Sequence, residues 1–444
     1  MAHNPDPRLV IVDPAWSGSV GHHYDVNLQL QRVLKGAGWQ VEAWADRATA
    51  ELALPWIRPL LQDCGYLDPR HWSDSGGSLH LARRLADQLA MVPSPADQPV
   101  AAWVMHTGLP YHLMGLARLL NQQPAAQVLI SLMFAPGETL EGEAADVVAT
   151  SNSRQALAAI AEACRRQGHQ VWLGLPSRQQ QQLWEPLIKA ANLPAGELHA
   201  AVVGAGGEAV QPPQGSPKLL LHWGDRKQAK GWLHSLRAVE QLLERGVPAR
   251  LRGHGWLFHV HCNGPLPESE LQLLERAERQ IPGFQLLREA VPHQEMLRRL
   301  AGCAAALLTY CPRAYAERSS GILWTYVSAR RAVGLSAAAV GLSGGWLEKE
   351  SLALGLAWRS AENPSSAIWP EMLALAVDDC SQLMDAKDSL DGKDSLDSKD
   401  SIHTPLELNG GYMRRGYDDK AYREIILDRG FAQDMARRLM WPQT

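Results

Sequence analysis

Residues 8–45 read RLVIVDPAWSGSVGHHYDVNLQLQRVLKGAGWQVEAWA, and this stretch decides the fold class. Arg8–Asp13 (RLVIVD) is a short apolar run bounded by Pro7 and Pro14, the pattern of a buried strand. Pro14–Gly21 (PAWSGSVG) reads as a loop. A helix is expected from about His22, where Val26, Leu30, Val33 and Leu34 recur at helical spacing until Gly36 and Gly38 stop it. Trp39–Ala45 (WQVEAWA) alternates as a second strand. Strand, helix and strand in close succession make a crossover unit, and repeated crossovers build a parallel sheet with helices on its faces.

The unit repeats outward from there. Val100–Thr107 (VAAWVMHT), Gln127–Met133 (QVLISLM), Asp146–Ser151 (DVVATS) and Gln170–Leu175 (QVWLGL) read as further strands with helices between them. Gly65–Gly77 is polar and irregular, a surface loop near a site. After Leu198 the text turns to HAAVVGAGGEAVQPPQGSP, with little helical period, so a first domain is placed at 1–200 and a linker at 201–217. A second α/β series, 218–385, opens with Lys218–Trp223 (KLLLHW) and the loop Gly224–Gly231 (GDRKQAKG). The next helix carries Leu236, Val239 and Leu243 on one side. Ala249–Gly253 (ARLRG), Gly283–Leu287 (GFQLL) and Ala304–Thr309 (AAALLT) read as strands, and His293–Gly302 as a short helix.

Lys387–Ile402 repeats every six residues (KDSLDG, KDSLDS, KDSI), a period that fits no helix. Residues 386–402 are therefore expected to be a disordered, low-complexity insertion. The terminal segment, 403–444, should hold two closing helices, Asp418–Arg429 and Phe431–Met440, the second with Phe431, Met435 and Leu439 on one face.

Composition narrows the function classes. The 444 residues are 46% hydrophobic and 20% charged, a balance that supports packed cores. Lys and Arg number 43 against 47 Asp and Glu, so the chain lacks the cationic excess of a general nucleic-acid binder. No apolar run reaches the roughly 18 residues of a membrane-spanning helix. The opening MAHNPDPRLVIVD lacks the basic start and apolar stretch of a signal peptide, which predicts a cytoplasmic protein. Six cysteines (Cys64, Cys164, Cys262, Cys303, Cys311, Cys380) form neither C-x-x-C nor zinc-finger spacings with His, and read as reduced, mostly buried thiols.

Three stretches carry candidate chemistry. The first loop, Ser17–Gly21, places Gly18 and Gly21 before a helix whose free N–H groups favour anions. Its spacing is not G-x-G-x-x-G and no ribose-binding acid follows, so a dinucleotide site is poorly supported. The second, Gly224–Gly231, holds Arg226, Lys227 and Lys230 between a strand end and a helix start, a place and charge that suit a diphosphate. The third is Tyr315–Thr325 (YAERSSGILWT): Ser319, Ser320 and Gly321 open a helix as an anion-binding nest, and Glu317 can take sugar hydroxyl protons. Helix capping by Ser319 or Ser320 is the plain structural alternative.

The order of strand, GDRKQAKG loop and helix, then FQLLREAVPHQEMLRRLAGCAAALLTY and ERSSGILWTYVSARRAV, resembles the C-terminal half of retaining GT-B glycosyltransferases, family 4 in particular. GHHYDVNLQLQRVLKGAGWQV looks like their Gly-rich first loop and helix. The resemblance implies an α/β fold of GT-B type, two Rossmann-like parallel-sheet domains facing a cleft, with donor bound to the second domain and acceptor to the first. It implies that Lys230 holds the donor diphosphate with Arg226 as second cation, Asp225 standing where many members have Arg. Glu317 matches the first Glu of the E-x(7)-E pair at the donor sugar, while the second, the ribose position, falls on Thr325. Many members place a His at the end of the strand that is Gln127–Met133 here, where this chain has Met133 and Phe134. His106 in VMHTG, and His22 or His23, are the nearby alternatives.

No D-x-D ends a hydrophobic strand, so no metal is expected, and no cofactor beyond the nucleotide-sugar co-substrate. The implied activity is transfer of a sugar from a nucleotide diphosphate donor to an acceptor, with retention. The acceptor stays open among small molecules, glycans and proteins. Thr325 and the absent His favour one other reading, a GT-B-shaped binding module without transfer activity, and the same two-domain plan allows a second, a sugar-nucleotide epimerase.

Overall fold

The computed structural model describes residues 6–19, 21–65, 74–92, 98–137, 146–198, 210, 214–260, 266–316, 320–391, 407–408, 411–412 and 430–440. It divides into two units, Met1–Gly206 with Asp428–Thr444, and Gly207–Leu427.

In the first unit β1 (Arg8–Asp13), β2 (Gln40–Asp46), β3 (Ile57–Leu61), β4 (Val100–Met105), β5 (Gln127–Ser131), β6 (Gln170–Leu175) and β7 (Ala195–Glu197) form one sheet in the order β3-β2-β1-β4-β5-β6-β7. Every pairing is parallel. Helices α1 (His22–Gly36), α2 (Ser75–Ala90), α3 (Pro110–Leu120), α4 (Val147–Gln167) and α5 (Arg178–Ala191) connect the strands. The unbroken apolar text of β1 follows from burial on both faces. Val10 and Val12 pack with Trp44, Trp103 and leucines of α2 and α3, while Leu9 and Ile11 pack with Val26, Leu30 and Leu34 of α1.

In the second unit β8 (Lys218–Gly224), β9 (Gly255–Val260), β10 (Phe284–Leu287), β11 (Cys303–Leu308), β12 (Ala338–Leu342) and β13 (Ala357–Ala361) are ordered β10-β9-β8-β11-β12-β13, again all parallel. Its helices are α6 (Trp232–Arg245), α7 (Glu268–Gln280), α8 (His293–Ala301), α9 (Gly321–Ala332), α10 (Trp346–Ala353) and α11 (Trp369–Asp391). Both sheets lay three strands outward in one direction and then return to pair the fourth beside the first. The strand order therefore reverses between β1 and β4, and between β8 and β11. Open α/β sheets take their ligands at the carboxyl ends of the strands at such a reversal.

Four local expectations are corrected. Asp146–Ser151 is not a strand: Asp146 caps α4 by accepting from the Ala149 amide at 2.7 Å. Ala149, Asn152, Ser153, Ala156, Leu157 and Ile160 are then buried at helical spacing, a pattern longer than the six-residue run that suggested a strand. Ala249–Leu251 is a 3-10 helix, and the strand lies later at Gly255–Val260, where every residue is buried. Asp74 caps α2, so Ser75–Gly77 are helical and not loop. Helix α11 continues through Lys387 to Asp391, because KDSLD offers no glycine or proline to stop it before Gly392. The rest of the six-residue repeat, Cys262 and Asp418–Arg429 lie outside the described residues.

The terminal helix α12 (Gly430–Met440) belongs to the first unit and not to a separate closing segment. Phe431, Met435 and Leu439 enter the core face of Leu9, Ile11 and α1, and Arg438 stacks over Trp172 at 4.4 Å. Among the described residues, no helix is long and apolar enough to cross a membrane. Of the five cysteines described, Cys64, Cys164, Cys303 and Cys380 are buried and Cys311 is partly so, all as free thiols.

Candidate functional site

In the second unit the reversal point is built from the loops after β8 and β11. A 3-10 turn, Gln228–Lys230, leads into Gly231, which caps α6 in the left-handed region at φ 77°. A Cβ on Gly231 would lie 2.2 Å from Thr309 Oγ1 and 2.4 Å from its carbonyl oxygen. Glycine is thus required by both conformation and contact. The two loops are stitched further by the Cys311 amide, which donates to the Ala229 carbonyl at 2.9 Å.

The Lys230 ammonium folds back over Gly224, 3.4 Å from where a Cβ there would sit, and stands 3.6 Å from Asp225 Oδ2. Lys227 reaches the same carboxylate at 3.0 Å. Beneath them His222 is buried, its Nδ1 at 3.2 Å from Ser235 Oγ and its Nε2 facing the Asp225 carbonyl. Burial first, and the Lys230 charge second, lower its pKa to about 3, so it stays neutral. Arg226 makes a forked pair with Glu270 of α7, at 2.8 and 3.4 Å.

Beyond β11, Tyr310 is buried and its pKa is pushed up to about 12 by that burial, while the Ser320 hydroxyl bonds to its phenol. Ser320 also caps α9, accepting from the Leu323 amide at 3.3 Å. Gly321 has an ordinary φ and nothing within 4 Å of a built Cβ, so neither strain nor crowding demands glycine there. Thr325 donates its hydroxyl to the Gly321 carbonyl at 2.7 Å, within its own helix. Ser320→Ala is expected to cost about 1 kcal/mol. Faster hydrogen exchange at the Leu323 amide would report the lost cap, and unchanged exchange would refute it.

In the first unit the reversal point gathers Asp13 at the end of β1, His106 after β4, and His22, His23 and Asn27 from α1. Asp13 Oδ2 accepts from His106 Nε2 at 2.9 Å and from Asn27 Nδ2 at 2.5 Å, and His23 Nδ1 lies 2.8 Å from Oδ1. Thr107 Oγ1 meets the other ring nitrogen of His106 at 3.0 Å. Asp13, His106 and Asn27 are at most 3% exposed and His23 is 9%. Burial raises the Asp13 pKa, but the charges and hydrogen bonds of the two imidazoles outweigh it and hold the carboxyl well below its usual range. The His22 ring lies 5.6 Å from that of His23 and 6.1 Å from that of His106. The surrounding protein, then the neighbouring imidazoles, lower its pKa to about 3 against the pull of Asp13, although the residue itself is exposed to solvent.

The preceding loop is fixed by Trp16, whose indole donates to the Gly18 carbonyl at 2.9 Å. Gly21 caps α1 with φ 96°, which only glycine adopts freely, whereas Gly18 has no such constraint and faces open space. Phe431 of α12 turns its ring edge toward His106, 6.4 Å between centres.

No protein-family model matches the chain, and no curated protein does. Solved structures do. OtsA in its apo form aligns with a TM-score of 0.56 at 12% identity, covering 99% of this chain and 100% of that one. A UDP-forming α,α-trehalose-phosphate synthase from Burkholderia xenovorans, in complex with glucose-6-phosphate, gives 0.54 at 13%, covering 84% and 92%. A trehalose-6-phosphate structure from E. coli bound with UDP-2-fluoro glucose gives 0.50 at 12%, covering 85% and 91%. The chain has the GT-B fold.

Within that GT-B fold, the structure brings Lys230, Ser320, Gly321 and Thr325 to one reversal point, and Gly18, Gly21, His22 and His106 to the other. Arg226 sits at the first but is held by Glu270. Glu317 and Ser319 lie outside the described residues. Sequence reasoning did not single out Asp13 or Asn27, and named His23 only as an alternative. The available signal was an acid closing the apolar run RLVIVD, with His23 and Asn27 one helical turn apart on α1.

Proposed function

We propose that the protein is a glycosyltransferase moving a sugar from a nucleoside diphosphate donor to an acceptor hydroxyl. The observation that carries this reading is the stitched pair of loops at the β8/β11 reversal. Lys230 and Lys227 share the Asp225 carboxylate on one loop, and Ser320, bonded to the Tyr310 phenol, opens α9 on the other. Such a site suits a diphosphate, whose leaving-group charge grows in the transition state and is stabilised by donors already in place. Arg226 would join only by exchanging Glu270 for phosphate oxygen.

Retention of configuration, and the family-4-type assignment of Lys230 to the diphosphate, Glu317 to the donor sugar and Thr325 to the ribose position, follow the resemblance of the loops. With its hydroxyl spent on Gly321, Thr325 offers a ribose an acceptor oxygen but no carboxylate. His106 and His22 are assigned to the acceptor side, and the reaction to the cytoplasm without a diphosphate-bound metal. The UDP-sugar analogue and glucose-6-phosphate bound in the E. coli and Burkholderia structures support a uridine nucleotide donor and a phosphorylated sugar acceptor as the first pair to try.

Lys230→Ala is expected to weaken nucleoside diphosphate binding by about 1–3 kcal/mol, the range for hydrogen bonds to charge. Calorimetry with UDP, GDP and ADP measures it, and unchanged affinity removes the loop from the site. Release of free sugar or transfer product from the bound donor separates an enzyme from a binding module, and an isomerised donor would mark an epimerase.

A further inference from the structure

Asp13, His23 and His106 each offer one ligand atom, and these atoms lie within 4.8 Å of one another in a buried cluster. We propose that they form a binding site for one late first-row divalent cation of the zinc type, held by a carboxylate and two imidazoles.

The donor set selects the class of ion. Magnesium and calcium take oxygen ligands, whereas two imidazoles with one carboxylate suit zinc and its neighbours. Ligand bonds of about 2.0–2.2 Å place the donor atoms of a tetrahedral zinc site roughly 3.3 Å apart. The Asp13–His23 and Asp13–His106 separations are 2.8 and 2.9 Å, so small side-chain rotations admit the ion.

Supporting partners are in place around the three. Thr107 Oγ1 engages His106 Nδ1 and leaves Nε2 toward Asp13. Asn27 donates to Asp13 Oδ2 and is itself rooted on the His23 carbonyl at 2.8 Å. The Ala15 amide holds the other carboxylate oxygen at 3.2 Å. Outer contacts of this kind fix the tautomer and orientation of metal ligands. A separate observation points the same way. Asn27 is fully buried, yet among the described residues its side-chain oxygen has no hydrogen-bond partner. A donor such as ion-bound water is what that oxygen lacks.

This inference makes no use of glycosyl transfer and stands or falls separately from it. The test uses the full chain, stripped with chelator and titrated with cobalt(II) and zinc(II). Expected are one bound equivalent, retained through gel filtration, and the visible d–d absorption of four-coordinate cobalt. His106→Gln should abolish both, and the exposed His80→Gln should change neither. Should His106→Gln fail to fold, Thr107→Val decides: it keeps all three ligands and should lower zinc affinity about 10–100-fold. Wild type without the cobalt band, or a stoichiometry untouched by His106→Gln or an affinity untouched by Thr107→Val, overturns the site.

Discussion

Asp13→Ala is expected to destabilise the first unit by about 3–5 kcal/mol in metal-free protein, the range for removing one partner of a buried charged cluster. The carboxylate is the acceptor on which His106, His23 and Asn27 all converge, and each of them is nearly sealed from water. Without it, at least two buried donors lose their partner, at about 1–3 kcal/mol each. Hydrogen exchange of β1 and β4 amides localises the effect to this unit, and the denaturant midpoint measures its size. A loss of unfolding free energy below about 0.5 kcal/mol would refute the role.

The pH dependence follows from the lowered pKa of Asp13. A depressed carboxyl contributes stability that is present above its unfolded value, near 3.8, and is lost as pH falls through the folded one. The gap between wild type and Asp13→Ala should therefore be full at neutral pH and close in acid.

Gly231→Ala should cost about 3 kcal/mol and also weaken nucleotide binding. A left-handed conformation costs a side-chain-bearing residue about 1–2 kcal/mol. The new Cβ would overlap the Thr309 backbone oxygen, which has no rotamer by which to move aside, and overpacking adds about 1–3 kcal/mol. Relief requires the loop to separate from β11, which breaks the Cys311–Ala229 hydrogen bond and shifts the turn that carries Lys230. Thermal unfolding and UDP calorimetry on one preparation measure both effects. Gly321→Ala is the control, since open space and an ordinary φ leave the fold unaffected there. Equal stability for the two variants would refute the argument.

Much of the fold was legible because its signals are local. RLVIVD, KLLLHW and QVWLGL read as strands from their apolar text and flanking breakers, and each is one. DVVATS misled because six apolar or small residues fit a buried strand and a capped helix equally, and only the following residues decide between them. The loops with Lys230 and Ser320 were readable from charge and capping chemistry. The pairing of Arg226 with Glu270 was not, because forty-four residues separate them and helix α7 brings them together.

By itself, the sequence determined the two series of crossover units, because hydrophobic periodicity, caps and glycine stops act over a few residues. Only the tertiary structure decided which strand ends stand side by side. His106 lies ninety-three residues from Asp13, and they meet because β4 returns to pair with β1. Strand order is a contest among whole-sheet packings, and no short stretch of chain holds its outcome. The same contest placed α12 in the first unit, where its apolar face closes the core laid down by Leu9 and Ile11.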